Sequence, residues 1–464
     1  MKTSLARDVA GLFVLILLTS MLSVAWADDF AALDDFIDPL YPQSEPGLAL
    51  LITKNGDPIY EKYLGLANLE HEIPITKDTV FRIASMTKQF TAVAIMMLAQ
   101  EGKLSVHDEI TKHLPDYKQP PSKITIEHLL THTSGIPSYT GIDDWMTGNK
   151  IRMKFSHEEM MNQWEDLELE FEPGTKFSYN NSGYYMLGVI IENLSGMSYA
   201  DFIEQRIFAP LGMKASLYED NERVIARSAS GYWQHEDGTF GKAPFTDMGQ
   251  PYAAGSLAST VHDLALWNSA LNGETLLPKD VLKKMWTPYT LKDGTSTGYG
   301  YGWFIVDYLG HEIIAHPGGI YGFNSEGFRI PENDLYIVAL SNGASSPLSV
   351  ATIAAVKAAL DLEQEAITLP VAALQSFVGS YQDSDGVSRK VLIENEQLFL
   401  ELAPDYRFAL IPISETHFLL DGIPYEMMFH INDGEIESVD LFKLGMPATR
   451  ATPVAESAES PKAD

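Results

Sequence analysis

The sequence predicts an α+β domain whose sheet is built from both of its ends, followed by a small all-β domain. Three observations lead there. Strand-like runs bounded by turn signals open residues 28–362 and return near their close, with helices and Pro- and Gly-rich loops between. The apolar run Thr91-Ala-Val-Ala-Ile-Met-Met-Leu-Ala99 has the length and composition of a buried helix. Beyond Ala366 the pattern changes to short alternating runs separated by turns.

At the N-terminus, Lys2 and Arg7 precede an apolar stretch over residues 9–22, and Ala25-Trp-Ala27 places small residues at the two cleavage-critical positions. These features predict a signal peptide over 1–27, cleaved after Ala27, and an exported protein, periplasmic or secreted. The apolar stretch is shorter than the ~20 residues a spanning helix needs, so no stable membrane anchor is expected after cleavage. Next, Asn55-Gly56 between two apolar runs signals a hairpin. A long helix follows Ser85, and residues 100–250 read as helices and loops. Strand-like runs return at 299–306, 312–315, 322–329 and 335–340, and 350–362 reads as a closing helix. The small β domain spans 366–450 with six or seven short strands and a turn at Asn432-Asp-Gly. The polar tail over 451–464 is expected to be disordered.

A length of 464 residues suits two domains. The formal net charge of −31 argues against nucleic acid and anionic membrane surfaces, because phosphate binding needs Lys and Arg. With no Cys, disulfides and lipoprotein anchoring are excluded, so stability must come from the core.

Ser85 and Lys88 lie three apart at the start of the apolar helix, which puts them on one face about a turn apart. Serine is a poor nucleophile until a base removes its proton, and the helix N-terminus favours developing negative charge. Ser-x-x-Lys also arises by chance on ordinary helix surfaces, so the pair needs company. Tyr179 and Asn181, two apart in a loop, can point into one cleft. A tyrosine becomes a usable base only beside a cation such as Lys88. Asn181 can both donate and accept hydrogen bonds. His316-Pro-Gly-Gly319 ends a strand-like run. Gly318 and Gly319 there allow a ligand backbone to approach closely, and the N–H of Gly319 could join that of Ser85 as an oxyanion hole. The blander readings are an ordinary turn for Tyr179-x-Asn181 and a Gly-rich hairpin with a solvated His for His316.

Two further stretches frame these residues: Leu129-Leu-Thr-His-Thr-Ser-Gly135 and Ala254-Gly-Ser-Leu-Ala-Ser259. In this order and spacing, the five features resemble the serine β-lactamase and penicillin-binding-protein superfamily, in its class C-like branch, over about residues 30–360. The resemblance implies a β-lactamase/transpeptidase-like fold, with a central antiparallel sheet flanked by helices and a helical subdomain. It makes Ser85 the acyl-enzyme nucleophile, with Lys88 and Tyr179 sharing the proton transfers. Asn181, His316, Gly318 and Gly319 become substrate-binding residues. The β domain is similar to the lipocalin-like appendage of some members. His316 departs from the Lys of the antibiotic-hydrolysing members, which favours peptidase or esterase activity over potent β-lactamase activity. The implied activity is that of a D-alanyl-D-alanine carboxypeptidase or D-aminopeptidase, with a carboxylesterase or weak β-lactamase as the alternative. The implied partner is a small-molecule or peptide substrate such as a peptidoglycan stem peptide, with no cofactor.

Two other classes compete. His128 and His132, four apart, could bind a metal, but the Glu of His-Glu-x-x-His is missing. A catalytically silent peptidoglycan-binding or peptide-binding protein would not need Ser85, Lys88 and Tyr179. His262 and His311 have no partner legible in the sequence.

Overall fold

The computed structural model describes residues 30–454 except 119, 363–365, 384–385, 404–405, 422–424, 444 and 446–447. The expected signal peptide therefore lies outside the described residues, as do residues 455–464.

The first sheet is antiparallel throughout and takes its strands from both ends of the α+β region. Strands β1 (Leu48–Lys54) and β2 (Asp57–Leu64) form the hairpin expected at Asn55-Gly56, where both residues have positive φ, as a tight two-residue turn requires. From the other end come β3 (Phe304–Tyr308), β4 (His311–Ala315), β5 (Gly318–Ile320), β6 (Phe323–Ile330) and β7 (Leu335–Ser341). The strand order is β3-β4-β6-β7-β1-β2, with the short β5 also pairing β6. The strand expected from 299 begins only at Phe304. Before it, Gly302 has φ +88°, and a Cβ there would come 2.9 Å from the Lys88 carbonyl oxygen, so the chain bends past the helix that holds Lys88.

Because β1 lies inside the sheet, it is buried on both faces. Leu48, Leu50 and Ile52 face a core closed by helices α1 (Ala31–Ile37) and, from the far end of the region, Leu348–Ala359. Ala49 and Leu51 face the larger core, which holds helices α2 (Thr87–Gln100), α3 (Asn181–Ser195) and α4 (Val261–Asn272). Beyond its polar first turn, helix α2 is mostly apolar, and every residue from Thr87 to Leu98 is buried, as expected for a helix threaded through a domain.

The C-terminal region is a closed barrel of eight antiparallel strands: β8 (Gly379–Asp383), β9 (Ser388–Glu394), β10 (Gln397–Ala403), β11 (Tyr406–Pro412), β12 (His417–Leu420), β13 (Tyr425–Asn432), β14 (Glu435–Lys443) and β15 (Thr449–Val454). The sequence shows six or seven of these. It hides β15, whose segment Thr-Arg-Ala-Thr-Pro-Val buries only Ala451. That strand corrects the expected boundary at 450: residues 451–454 are not tail but pair with β8 and close the barrel, removing its edges. Phe377, Tyr381, Leu400, Phe418 and Phe429 pack in one core within this domain. Among the described residues, no helix is long and apolar enough to cross a membrane.

Candidate active site

Ser85 sits in a 3₁₀ turn, Ala84–Met86, that leads directly into α2. Ala84 before it has φ +46°, a left-handed conformation that is strained for a residue with a Cβ. Neighbouring strands hold it there. Ile83 N–H donates to the Leu257 carbonyl at 3.0 Å, and Ser325 Oγ donates to the Ile83 carbonyl at 2.7 Å. Gly318 on β5 crosses so close that a Cβ would lie 2.4 Å from the Ile83 oxygen and 2.9 Å from the Ser85 nitrogen. Only glycine lets this strand pass the serine.

Lys88 is fully buried in the first turn of α2. Its Nζ lies 3.2 Å from Ser85 Oγ and 2.9 Å from both Asn181 Oδ1 and the Ala254 carbonyl. None of these partners is charged, and burial holds its pKa well below the ordinary lysine value. The Tyr179 and Tyr184 rings, 4.8 and 5.5 Å from Nζ, offer the only aromatic contacts that favour its cation among the described residues.

Asn181 opens helix α3 after the N-cap Asn180. Its amide nitrogen donates to Thr140 Oγ1 at 3.1 Å, which fixes the oxygen toward Lys88. Tyr179 is half-buried, lining the larger cavity, with its hydroxyl oxygen sealed from solvent close to Ser85. Burial raises its pKa and outweighs the Ser85 hydroxyl, which pulls the other way. The phenol is thus held protonated.

His316 is 1% exposed. Its Nδ1 lies 2.6 Å from the Pro317 carbonyl, which can only accept, so Nδ1 carries the proton and Nε2 accepts from Tyr299 OH at 3.1 Å. Burial, then the Lys88 charge, depress its pKa to about 3. The blander reading of a solvated imidazole is corrected: burial keeps His316 neutral across the ordinary pH range.

All seven residues singled out in the sequence meet at one place. Two cavities flank Ser85. The larger, about 680 Å³, includes Tyr179, His316 and Gly318; the smaller, about 210 Å³, includes Asn181; Gly319 belongs to both. The histidines weighed as metal ligands have other partners. His128 Nδ1 accepts from Thr125 N–H to cap a short helix, and His132 Nδ1 accepts from Asn180 N–H. His262 meets Tyr63, and His311 pairs with Glu332. Sequence reasoning missed the Ala254 carbonyl, Thr140 and Tyr299. A backbone oxygen leaves no residue-type signal, and the two hydroxyls lie far from their partners in sequence.

A β-lactamase family profile matches residues 33–361. Penicillin-binding protein 4* of Bacillus subtilis (strain 168) is 31% identical over 426 residues, covering 85% of this chain and 92% of its own. The octameric penicillin-binding protein homologue from Pyrococcus abyssi superposes with a TM-score of 0.62 at 29% identity, covering 93% of this chain and 99% of that one. D-amino acid amidase from Ochrobactrum anthropi SV3, solved with D-phenylalanine, gives 0.61 at 25% identity over 73% of this chain and 98% of its own.

Proposed function

The chain belongs to the β-lactamase family of serine hydrolases, and from that premise we propose that it cleaves D-aminoacyl amides and peptides through an acyl-enzyme on Ser85. The observation that carries the reading is the surround of Lys88. A neutral amine has two N–H bonds and one lone pair. The two acceptors at 2.9 Å take the N–H bonds, which leaves the lone pair for the Ser85 hydroxyl at 3.2 Å.

Ser85 Oγ then attacks the substrate carbonyl carbon while its proton passes to Lys88. The oxyanion would sit between the N–H groups of Ser85 and Gly319. The two-residue turn after β5 makes Ile320–Phe323 the bonded closing pair, so the alternating ladder leaves the Gly319 N–H turned away from β6. As the tetrahedral intermediate collapses, the carbon–nitrogen bond breaks and the leaving nitrogen takes a proton from the Tyr179 hydroxyl. The proton held by Lys88 replaces it. Water repeats the sequence on the acyl-enzyme and releases the acid.

Tyr179 lines the larger cavity and not the smaller, so the leaving group is assigned to the larger. The acyl residue then lies on the Asn181 side, where Tyr139, Met146, Ile151, Pro251, Ile320 and Tyr321 line a cavity without a charged side chain. That lining fits an apolar side chain. No Lys or Arg lines the larger cavity, and His316 is neutral there. A terminal carboxylate would have no cation to meet, which favours an amidase or aminopeptidase over a carboxypeptidase. The D preference draws on the amidase neighbour. A carboxylesterase is the second reading, favoured by the same lack of a cation in a lining whose one acidic residue is Glu326. Export rests on the N-terminal segment, and N-terminal sequencing of the mature protein tests it.

The deciding experiment compares D-phenylalanine amide, D-alanyl-D-alanine peptides and short acyl esters, with fluorophosphonate labelling of Ser85. Turnover of D-amides that vanishes in Ser85→Ala supports the reading. Labelling that persists in that variant would overturn it, as would turnover confined to carboxylate-terminated peptides.

A further inference from the structure

The hydrolase domain does not line the larger cavity alone. Ala448 and Thr449, at the start of barrel strand β15, share that lining with Ser85, Tyr179 and His316, and both are exposed. Neither is charged.

Three contacts hold the barrel against the hydrolase domain. Glu426 on β13, only 4% exposed, accepts from Tyr308 OH of β3 at 2.7 Å. The same carboxylate pairs with His417 of the barrel at 2.8 Å and with Lys357 of the hydrolase domain at 3.6 Å. Phe442 on β14 packs against the core beneath the first sheet. Gly445, with φ +81°, lies so close to Phe328 that a Cβ would come 2.5 Å from its ring. A domain merely tethered by a linker would not need a buried carboxylate shared across the junction, nor a glycine where another residue would clash.

We propose that the barrel is a working wall of the leaving-group subsite, and that Thr449 is a specificity-determining residue for long leaving groups. The proposal rests on the reading that the leaving group occupies this cavity. At about 680 Å³ the cavity holds more than one residue. A short leaving group, such as ammonia or methanol, stays beside Tyr179. A longer uncharged one, such as a peptide or an extended alcohol, reaches the barrel, where Thr449 offers a single hydroxyl and a methyl group.

The test uses the full chain and two phosphonate esters with the same phosphonyl part. One has a methyl alcohol as leaving group and the other an extended amide-bearing alcohol. In each, Ser85 Oγ bonds to phosphorus, the alcohol departs, and it gains the proton lost by serine. Second-order labelling rates are measured for wild type, Thr449→Ala and Thr449→Trp. Thr449→Trp is expected to slow the long ester about tenfold or more and the short one less than about twofold. The short ester thus serves as the folding control. Thr449→Ala should leave the short ester unchanged and shift only the long one. A long-to-short ratio equal in all three proteins, with Ser85 labelled normally, would overturn the wall alone. Wild type that neither ester labels would overturn the acyl-enzyme reading and the wall with it.

Discussion

Lys88 Nζ stands 3.2 Å from Ser85 Oγ, and its other hydrogen-bond partners are two uncharged oxygens. A lysine so placed is stabilised as an amine rather than as a cation. The amine is the active form of a base, so kcat/KM should rise with pH through the lowered Lys88 pKa and then level off. The plateau should be reached below the ordinary lysine range near 10.4. A pH–rate profile still climbing at about pH 10 would show an unshifted lysine. Lys88→Met should lower the acylation rate by about 10²–10⁴.

Tyr179 is the opposite case: burial holds its phenol protonated. Its value then lies in giving a proton to a poor leaving group. Tyr179→Phe should cost about 10²–10⁴ in kcat/KM for an amide but far less for an activated aryl ester, whose leaving group needs no proton. Equal losses on both would assign Tyr179 to activation of Ser85 instead. The Lys88→Met, Tyr179→Phe double variant should lose much less than the product of the single losses, because the two act as one unit.

These pairings differ in how far the sequence announces them. Ser85 and Lys88 are legible because helix geometry alone puts positions three apart on one face. Tyr179 and Asn181 are legible from their spacing and surroundings. The Ala254 carbonyl is not, since only the fold brings a backbone oxygen 166 residues away to the amine. The burial of His316 is equally hidden: Pro317 and the two glycines that follow it read as a turn, whereas the aromatics that enclose it are Tyr179, Tyr299 and Phe304. The barrel announces its strands by alternation, but β15 owes its place to pairing with β8 and β14 rather than to its own residues.

The junction between the domains gives a stability prediction. Burial alone would raise the Glu426 pKa, but bonds from His417 and Tyr308 and the Lys357 charge outweigh it and hold it below the usual carboxylate value. A depressed carboxylate contributes stability that is fully present above its unfolded pKa, near 4.3, and is lost as pH falls through the folded value. Glu426→Ala leaves a half-buried Lys357 without its partner and should cost about 3–5 kcal/mol, read as a lower urea midpoint at pH 7. Glu426→Gln, which still accepts from Tyr308, should cost less. An unchanged midpoint in both variants would show that the junction does not depend on this carboxylate.

The last prediction concerns His316, whose position in the family pattern suggests a cation facing a substrate carboxylate. The structure opposes that role. Both ring nitrogens are engaged, one with Pro317 and one with Tyr299, and the pKa falls to about 3. From about pH 5 to 9 the imidazole has no charge to lose, so wild type should show a flat ratio of carboxylate-bearing to neutral substrates. His316→Lys would place a second amine in the buried neighbourhood of Lys88, where burial disfavours a cation and the hydrogen bond to Tyr299 is lost. Both substrate classes should slow together, by about tenfold or more, with the ratio unchanged. If the wild-type ratio instead rises toward acid, an imidazolium forms and meets the carboxylate. If the variant raises turnover of carboxylate-bearing amides alone, the site accepts a cation and the reading of a leaving-group cavity closed to carboxylates is wrong.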